Sequence, residues 1–322
     1  MRASHDHERV TMMGKPPIIG KAQAGVAIVL AMGVVALATM AATAIMITQS
    51  TWARQGELTS AHVQAQTLIQ AGVDWARAVL SDDRRLSNVD HPGEPWALRL
   101  PPMPVEGGEL AGFIEDQQGR FNLNNVVRDG KVSLTQLAYF QRLLSVLGLP
   151  VALAGTLADW IDADSEPQPQ GGAEDDTYLA MQPPYLTANR PLTDVAELAL
   201  VSGFDEGVRA RLLPFVAALP RHTPVNANTA SPEVLAAIFD GLGLDGARAL
   251  IARRGRAYFS DITDFVRQLP QGVQVETADI SFGSDYFLAT LRVAIGGAQA
   301  RGVALLARDD AGWPDIVWRK VP

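Results

Sequence analysis

Between Asp159 and Asp176 the chain carries seven carboxylates: Asp159, Asp162, Asp164, Glu166, Glu174, Asp175 and Asp176. The stretch "DWIDADSEPQPQGGAEDDTYLAMQPP" is rich in proline and glycine and reads as a loop. Like charges this crowded repel unless water or a cation neutralises them, and hard oxygen ligands of this type suit Ca²⁺. The D-x-D start at Asp162 and Asp164 does not continue as an EF-hand, because Pro167 stands where that loop requires glycine. A solvated acidic loop and a cation site both stand on the residues, and composition alone favours the first. Other chemistries lack their signatures. The chain has no G-x-x-x-x-G-K-[ST], no G-x-S-x-G and no H-E-x-x-H, and its five histidines show no ligand spacing. His222 in "LPRHTPVNA" reads as a loop residue. With no catalytic residues singled out and no cysteines, the chain reads as a non-enzyme without disulfides or thiolate metal sites.

A second polar cluster lies in "VNANTASPEVLAAIFDGLGLDGARALIARRGRAYFSDITDFVRQLP", residues 225–270. Ser231 caps a helix with Pro232 at its first position, and "GLGLDG" turns into a second helix from Ala247. This helix-hairpin-helix spacing is similar to sequences of competence-type, membrane-anchored DNA receptors, where hairpin amides and basic residues hold phosphates. Arg248, Arg253, Arg254 and Arg256 have the chemistry for that. Asp240, Asp245, Asp261 and Asp264 interleave with them, the net charge is −8, and no basic stripe extends beyond the hairpin. Nucleic acid is therefore not the expected partner, and a DNA receptor is the alternative reading. Gly241, Gly243 and Gly246 match G-x-G-x-x-G, but a helix rather than a strand precedes them, so the dinucleotide-binding context is missing.

What must position these clusters begins with a long uncharged run. At 322 residues and 48% hydrophobic, the chain can bury real cores. No residue from Ala22 to Ala53 is charged, and Val26 to Ile47 is about the 20 residues a membrane-crossing helix needs. Arg2, Arg9, Lys15 and Lys21 precede it, opposed by Asp6 and Glu8, which places the N-terminus in the cytoplasm and the body outside. The run exceeds the roughly 7 to 15 apolar residues of a secretory signal. Beyond it, Leu58, Ala61, Ala65, Leu68, Ile69, Ala71, Trp75 and Val79 recur at helical spacing with no proline until Pro92. The segment "GGELAGFIEDQQGRFNLNNVV" (107–127) reads as a hairpin turning at "DQQG", with Asn124 and Asn125 bonding nearby backbone to hold a turn into the next helix. Helical pattern follows from Ser133 to Trp160, broken at "GLP". Strands return at 286–297, 300–310 and 315–322.

Gly25 followed by this run resembles the class III leader of type IV pilins and type II secretion pseudopilins. The resemblance implies cleavage between Gly25 and Val26 by a prepilin peptidase and N-methylation of the new terminus. Leu30 then occupies mature position five, where most such proteins carry a glutamate; a carboxylate at bilayer depth costs roughly 2.5–3.5 kcal/mol and persists only where a partner compensates it. Its absence, together with "EDQQGRFNLNN", "DWIDAD", "GAEDDTY" and "ANRPLTDVAEL", resembles the minor pseudopilin K, or general secretion pathway protein K, family. The likeness runs from the leader to the C-terminus. It implies an α+β fold: a pilin-like long N-terminal helix plus antiparallel sheet, with a large inserted all-α, SAM-like or helix-hairpin-helix domain. The implied organisation is 1–25 leader, 26–80 N-terminal helix, 81–127 first part of the sheet, 128–275 inserted helical domain and 276–322 C-terminal strands. Calcium is implied as a structural ion, with Asp162, Asp164, Glu174, Asp175 and Asp176 as candidate ligands. The implied place is the inner membrane, single-pass, with a periplasmic body at the pseudopilus tip. Implied partners are I- and J-like minor pseudopilins, the major pseudopilin, the prepilin peptidase and the inner-membrane secretion platform.

Overall fold

The computed structural model describes residues 21–274, 276–309 and 312–321; the charged leader residues from Arg2 to Lys15 lie outside the described residues. Helix α1 runs Lys21–Leu86, longer at its C-terminal end than the spacing predicts. No proline interrupts it, and Arg84 and Arg85 in its last turn complement the negative end of the helix dipole. The chain divides between Ser60 and Ala61 into two compact units. In the first, every residue of α1 from Gly25 to Ser60 is exposed, and the apolar part is long enough to cross a membrane.

The second unit begins with the packed part of α1. Ala61, Ala65, Ile69, Val73, Ala76 and Leu80 are buried. The expected stripe also included Ala71 and Trp75, which are exposed. Both stand two residues from Val73, which at about 3.6 residues per turn puts them on the far side of the helix. The stripe packs on a five-stranded antiparallel sheet ordered β1 (Leu100–Val105), β2 (Gly108–Asp116), β9 (Tyr286–Ile295), β10 (Ala298–Ala307) and β11 (Asp315–Lys320). Alternation decides the facing: Phe287, Ala289, Leu291, Val293 and Ile295 of β9 are buried with the α1 stripe. Gly302 permits the closest approach, since a Cβ there would lie 2.2 Å from Ile69 Cγ2. Strand β1 is an edge whose Pro101, Pro102 and Pro104 cannot donate to a further strand.

The expected hairpin at 107–127 is corrected. Strand β2 pairs with β1 and with β9, whereas Phe121–Asn122 (β3) turns away and pairs in parallel with Val216–Ala217 (β6). The turn at "DQQG" is where the chain leaves the sheet, because Asp116 and Gln118 are held by residues of the inserted lobe instead of by a returning strand. Two other short ladders brace that lobe: Val127–Arg128 (β4) with Lys131–Val132 (β5), and Val225–Asn226 (β7) in parallel with Ile280–Ser281 (β8).

Between β2 and β9 lie helices α2 (Leu134–Val146), α3 (Leu153–Ile161), α4 (Asp175–Leu179), α5 (Glu206–Leu212), α6 (Pro232–Ile238), α7 (Gly243–Arg254) and α8 (Ile262–Gln268). They enclose one apolar core that includes Phe140, Leu157, Tyr178, Leu235 and Phe265. Ser231 caps α6 by accepting from the Val234 amide, as its position predicts. Helix α7 starts four residues before the expected Ala247, because Gly241 and Gly243, both at positive φ, complete the reversal early.

Candidate metal centre

Helix α3 carries the acidic loop. Its last turn buries Asp159, and Asp162 stands at its C-cap. The Asp159 carboxylate accepts from the amides of Gln168 (3.1 Å) and Ala173 (2.7 Å), while Thr156 Oγ1 donates to the Gly171 carbonyl at 2.6 Å. These bonds fold the Pro- and Gly-rich segment back over the helix end. Gly172 is needed for the fold-back: a Cβ there would lie 2.5 Å from Gln168 backbone atoms. Glu174 is returned to the same spot at the N-terminus of α4.

Asp162, Asp164 and Glu174 thereby each offer an oxygen within 4.8 Å of the others. Asp162 and Glu174 are buried and Asp164 is exposed. Among the described residues, neither oxygen of Asp162 nor of Glu174 has a hydrogen-bond partner. Burial, then the charges of Asp164 and Asp159, pushes the Asp162 carboxyl up to about 6. Burial and the same acidic neighbours push Glu174 up to about 7. Buried polar atoms in folded proteins are almost always satisfied. Four orphaned carboxylate oxygens at one point therefore fit a hard cation.

The other two candidate ligands stand apart from this group. Asp175 Oδ1 accepts from the Thr187 amide (2.9 Å) and hydroxyl (2.7 Å), tying down the loop after α4, and this holds its carboxyl below the usual range. Asp176 is exposed. Gly25, Val26 and Leu30 lie on the exposed apolar part of α1.

A second buried carboxylate cluster escaped sequence reasoning. Asp83, Asp90 and Glu94 also bring oxygens within 4.8 Å of one another. Here the charge is met from inside: fully buried Arg308 donates to Asp83 at 2.8 Å and to Asp90 at 2.6 Å. Glu94 accepts from the His91 amide and the Trp96 indole at 2.8 and 2.9 Å. Next to it Asn226 bonds the Asp90 carbonyl (3.2 Å), Asp116 (3.0 Å) and Ser284 (2.9 Å), joining sheet and helical lobe. The only sequence signal was the run of polar residues after α1; the partner Arg308 is over 200 positions away.

Asn124 and Asn125 do bond backbone, but at a distance in sequence. Asn124 bridges Leu192 and Leu219, and Asn125 both donates to and accepts from Thr223. In the hairpin, Arg254 donates to the Ala227 and Ala230 carbonyls, Arg253 to the Gln268 carbonyl, and Arg248 pairs with Asp245. Three of the four arginines that a phosphate would need are thus occupied within the fold.

Comparison with known proteins places this architecture. The pattern of the family "Type II secretion system (T2SS), protein K" matches residues 119–221 and again 225–282. Type II secretion system protein K of Pseudomonas aeruginosa is 39% identical over 305 residues, 91% of each chain. This chain belongs to the type II secretion system protein K family. The family's protein from Klebsiella pneumoniae is 34% identical over 89% of this chain and 93% of its own. Among solved structures, the GspK–GspI–GspJ complex of the enterotoxigenic Escherichia coli type 2 secretion system contains a chain that superposes with a TM-score of 0.74. That pair is 26% identical, and the match covers 83% of this chain and 99% of the other. The family's helix, sheet and inserted helical lobe are those described above.

Proposed function

We propose that this chain is a minor pseudopilin at the tip of a periplasmic pseudopilus, a structural rather than catalytic part of a type II secretion machine. The observation that carries the reading is the match to a whole GspK chain solved in complex with GspI and GspJ. In this reading the partners are the corresponding I- and J-like pseudopilins, and the exposed apolar half of α1 packs against theirs in the inner membrane. The helical lobe inserted between β2 and β9 is bulky for a subunit repeated along a tight filament, which suits a cap. A prepilin peptidase on the cytoplasmic side would cut between Gly25 and Val26, and the body would face the periplasm.

Asp162, Asp164 and Glu174 would hold a Ca²⁺ ion that fixes the acidic loop. Bound there, the ion supplies no reaction chemistry; it neutralises carboxylates that the fold leaves buried and unpartnered.

Two experiments test the reading. Intact mass of the chain from membranes, with and without a co-expressed prepilin peptidase, should show peptidase-dependent loss of residues 1–25. An uncut chain beside an active control would contradict it. Gly33 has no atom within 4 Å of where a Cβ would stand. Gly33→Leu should therefore leave the isolated chain folded yet block assembly and secretion by spoiling close helix approach; normal secretion would count against this packing.

A further inference from the structure

We propose that the bare half of the sheet face opposite α1, centred on Arg292 and Arg301, docks an acidic loop of a neighbouring pseudopilin subunit. The inference rests on the pseudopilin reading above.

One face of the sheet is covered by α1. The opposite face is covered only in part. Ala217 and Leu219 of the helical lobe pack over Tyr286 and Leu305, with Leu288 and Trp318 at the margin. Along β10 burial on this face falls steadily: Leu305 is buried, Val303 half-buried, Arg301 and Gln299 exposed. Strand β9 shows the same fall, from buried Thr290 to exposed Arg292 and Ala294. The uncovered end forms an open groove of about 570 Å³, lined by Pro102, Glu109, Ala111, Ala294, Gln299 and the two arginines.

Arg292 and Arg301 are direct cross-strand partners in the β9–β10 ladder. Facing residues on one side of an antiparallel pair have Cβ atoms about 5 Å apart, and like charges in that position destabilise the sheet. Ala111, opposite Arg292 on the other side, is too short to shield either charge. Neither arginine makes a hydrogen bond, ion pair or ring contact among the described residues, and Glu109 on the same face forms no ion pair with them. Arg77, Arg142, Arg254 and Arg308, by contrast, all donate to carbonyls or carboxylates of the fold. The cross-strand pair is thus a repulsive arrangement that the chain itself does not relieve.

Two guanidinium forks side by side match one bridging carboxylate or two adjacent ones. Two cations beside a glutamate are too few for a phosphate backbone, which binds through many such contacts. The position selects the subunit. The groove lies at the end of the sheet where Gly296 meets Ala61, the first buried residue of α1. The helical lobe leaves and rejoins the sheet at the other end, at Asp116 and Tyr286. A subunit packed alongside the helix and sheet reaches this groove, whereas a cargo protein held by the helical lobe does not.

The test uses the full chain co-expressed with its cognate pseudopilins. A photo-crosslinking residue replaces Gln299, and partner recovery from solubilised membranes is compared between wild type, Arg292→Glu/Arg301→Glu and Arg292→Lys/Arg301→Lys. The account expects a crosslink to an Asp- or Glu-rich segment of another pseudopilin. It also expects recovery to fall about tenfold or more in the charge-reversed pair and by less in the lysine pair, which keeps the charge and loses the fork, with the unfolding midpoint not lowered. Full recovery in the charge-reversed pair, or a crosslink to a second copy or to cargo, would overturn it while leaving the pseudopilin reading intact. A wild-type chain that recovers no pseudopilin would overturn both.

Discussion

Among the described residues, two groups of three carboxylates are gathered within the same 4.8 Å, and they are solved in opposite ways. At the lobe junction, Asp83, Asp90 and Glu94 are met by Arg308, a backbone amide and an indole N–H. In the loop after α3, Asp162 and Glu174 have no donor among the described residues, and the charges that act on Asp162 are further acids. All three junction carboxylates are buried, and in the loop Asp162 and Glu174 are buried while Asp164 is exposed. The larger difference is whether the chain supplies its own cation: Arg308 does so at the junction, and in the reading proposed above the loop takes an ion instead. A buried charge left unpaired costs several kcal/mol, so the second arrangement is sustainable only with protons or a metal in place.

The sharpest way to break the comparison is to turn the junction into the loop. Arg308→Met leaves Asp83 and Asp90 buried without a cation and should destabilise the fold by about 3–5 kcal/mol in chemical unfolding. A loss under about 1 kcal/mol would mean that the junction does not depend on its ion pairs. Next in size is calcium itself. At a free concentration of 100 times its dissociation constant, Ca²⁺ should add about 2.7 kcal/mol over a chelator-treated sample. Asp162→Asn/Glu174→Gln should abolish that difference, whereas Asn substitution of exposed Asp176 should leave it. Asn226→Ala, which strips Asp116 and Ser284 of a shared donor, should cost about 1–3 kcal/mol with or without calcium.

The smallest effect is a pH dependence. In the cation-free chain burial raises Asp162 from 3.8 to about 6 and Glu174 from 4.5 to about 7. The folded state then holds more protons than the unfolded one between those values, so cation-free stability should rise as pH falls from about 8 to about 5. Calcium stabilisation should shrink over the same window, because protons compete for the same oxygens. Asp83 and Asp116, also pushed up to about 6 by burial, contribute to the first trend. The share of the loop is the difference between wild type and Asp162→Asn/Glu174→Gln across the titration.

Much of this was legible because it is local. An uncharged run of membrane length, alternating residues in β9 and β10, and Ser-Pro at the start of α6 each declare an element within a few residues. Asp162, Asp164 and Glu174 were legible as a group for the same reason, since a single Gly-containing loop brings them together. Asp175 lies outside that group because its Oδ1 accepts from Thr187, which stands across a turn whose path the sequence does not reveal. The junction was invisible: Asp90, Asp116, Asn226, Ser284 and Arg308 meet only after the helical lobe closes on the sheet. The hairpin at 107–127 failed likewise, since the edge of β2 that β3 would have filled is taken by β9, which lies beyond the whole helical lobe in sequence.

The central claim is that the loop, unlike the junction, is finished by a metal ion. Elemental analysis of the full chain, purified in detergent and dialysed against limiting Ca²⁺, tests it most directly. The account predicts calcium bound to the wild type, retained in the Asp83→Asn variant and lost in Asp162→Asn/Glu174→Gln. A wild type that binds no calcium, or a double variant that binds as much as the wild type, would contradict it.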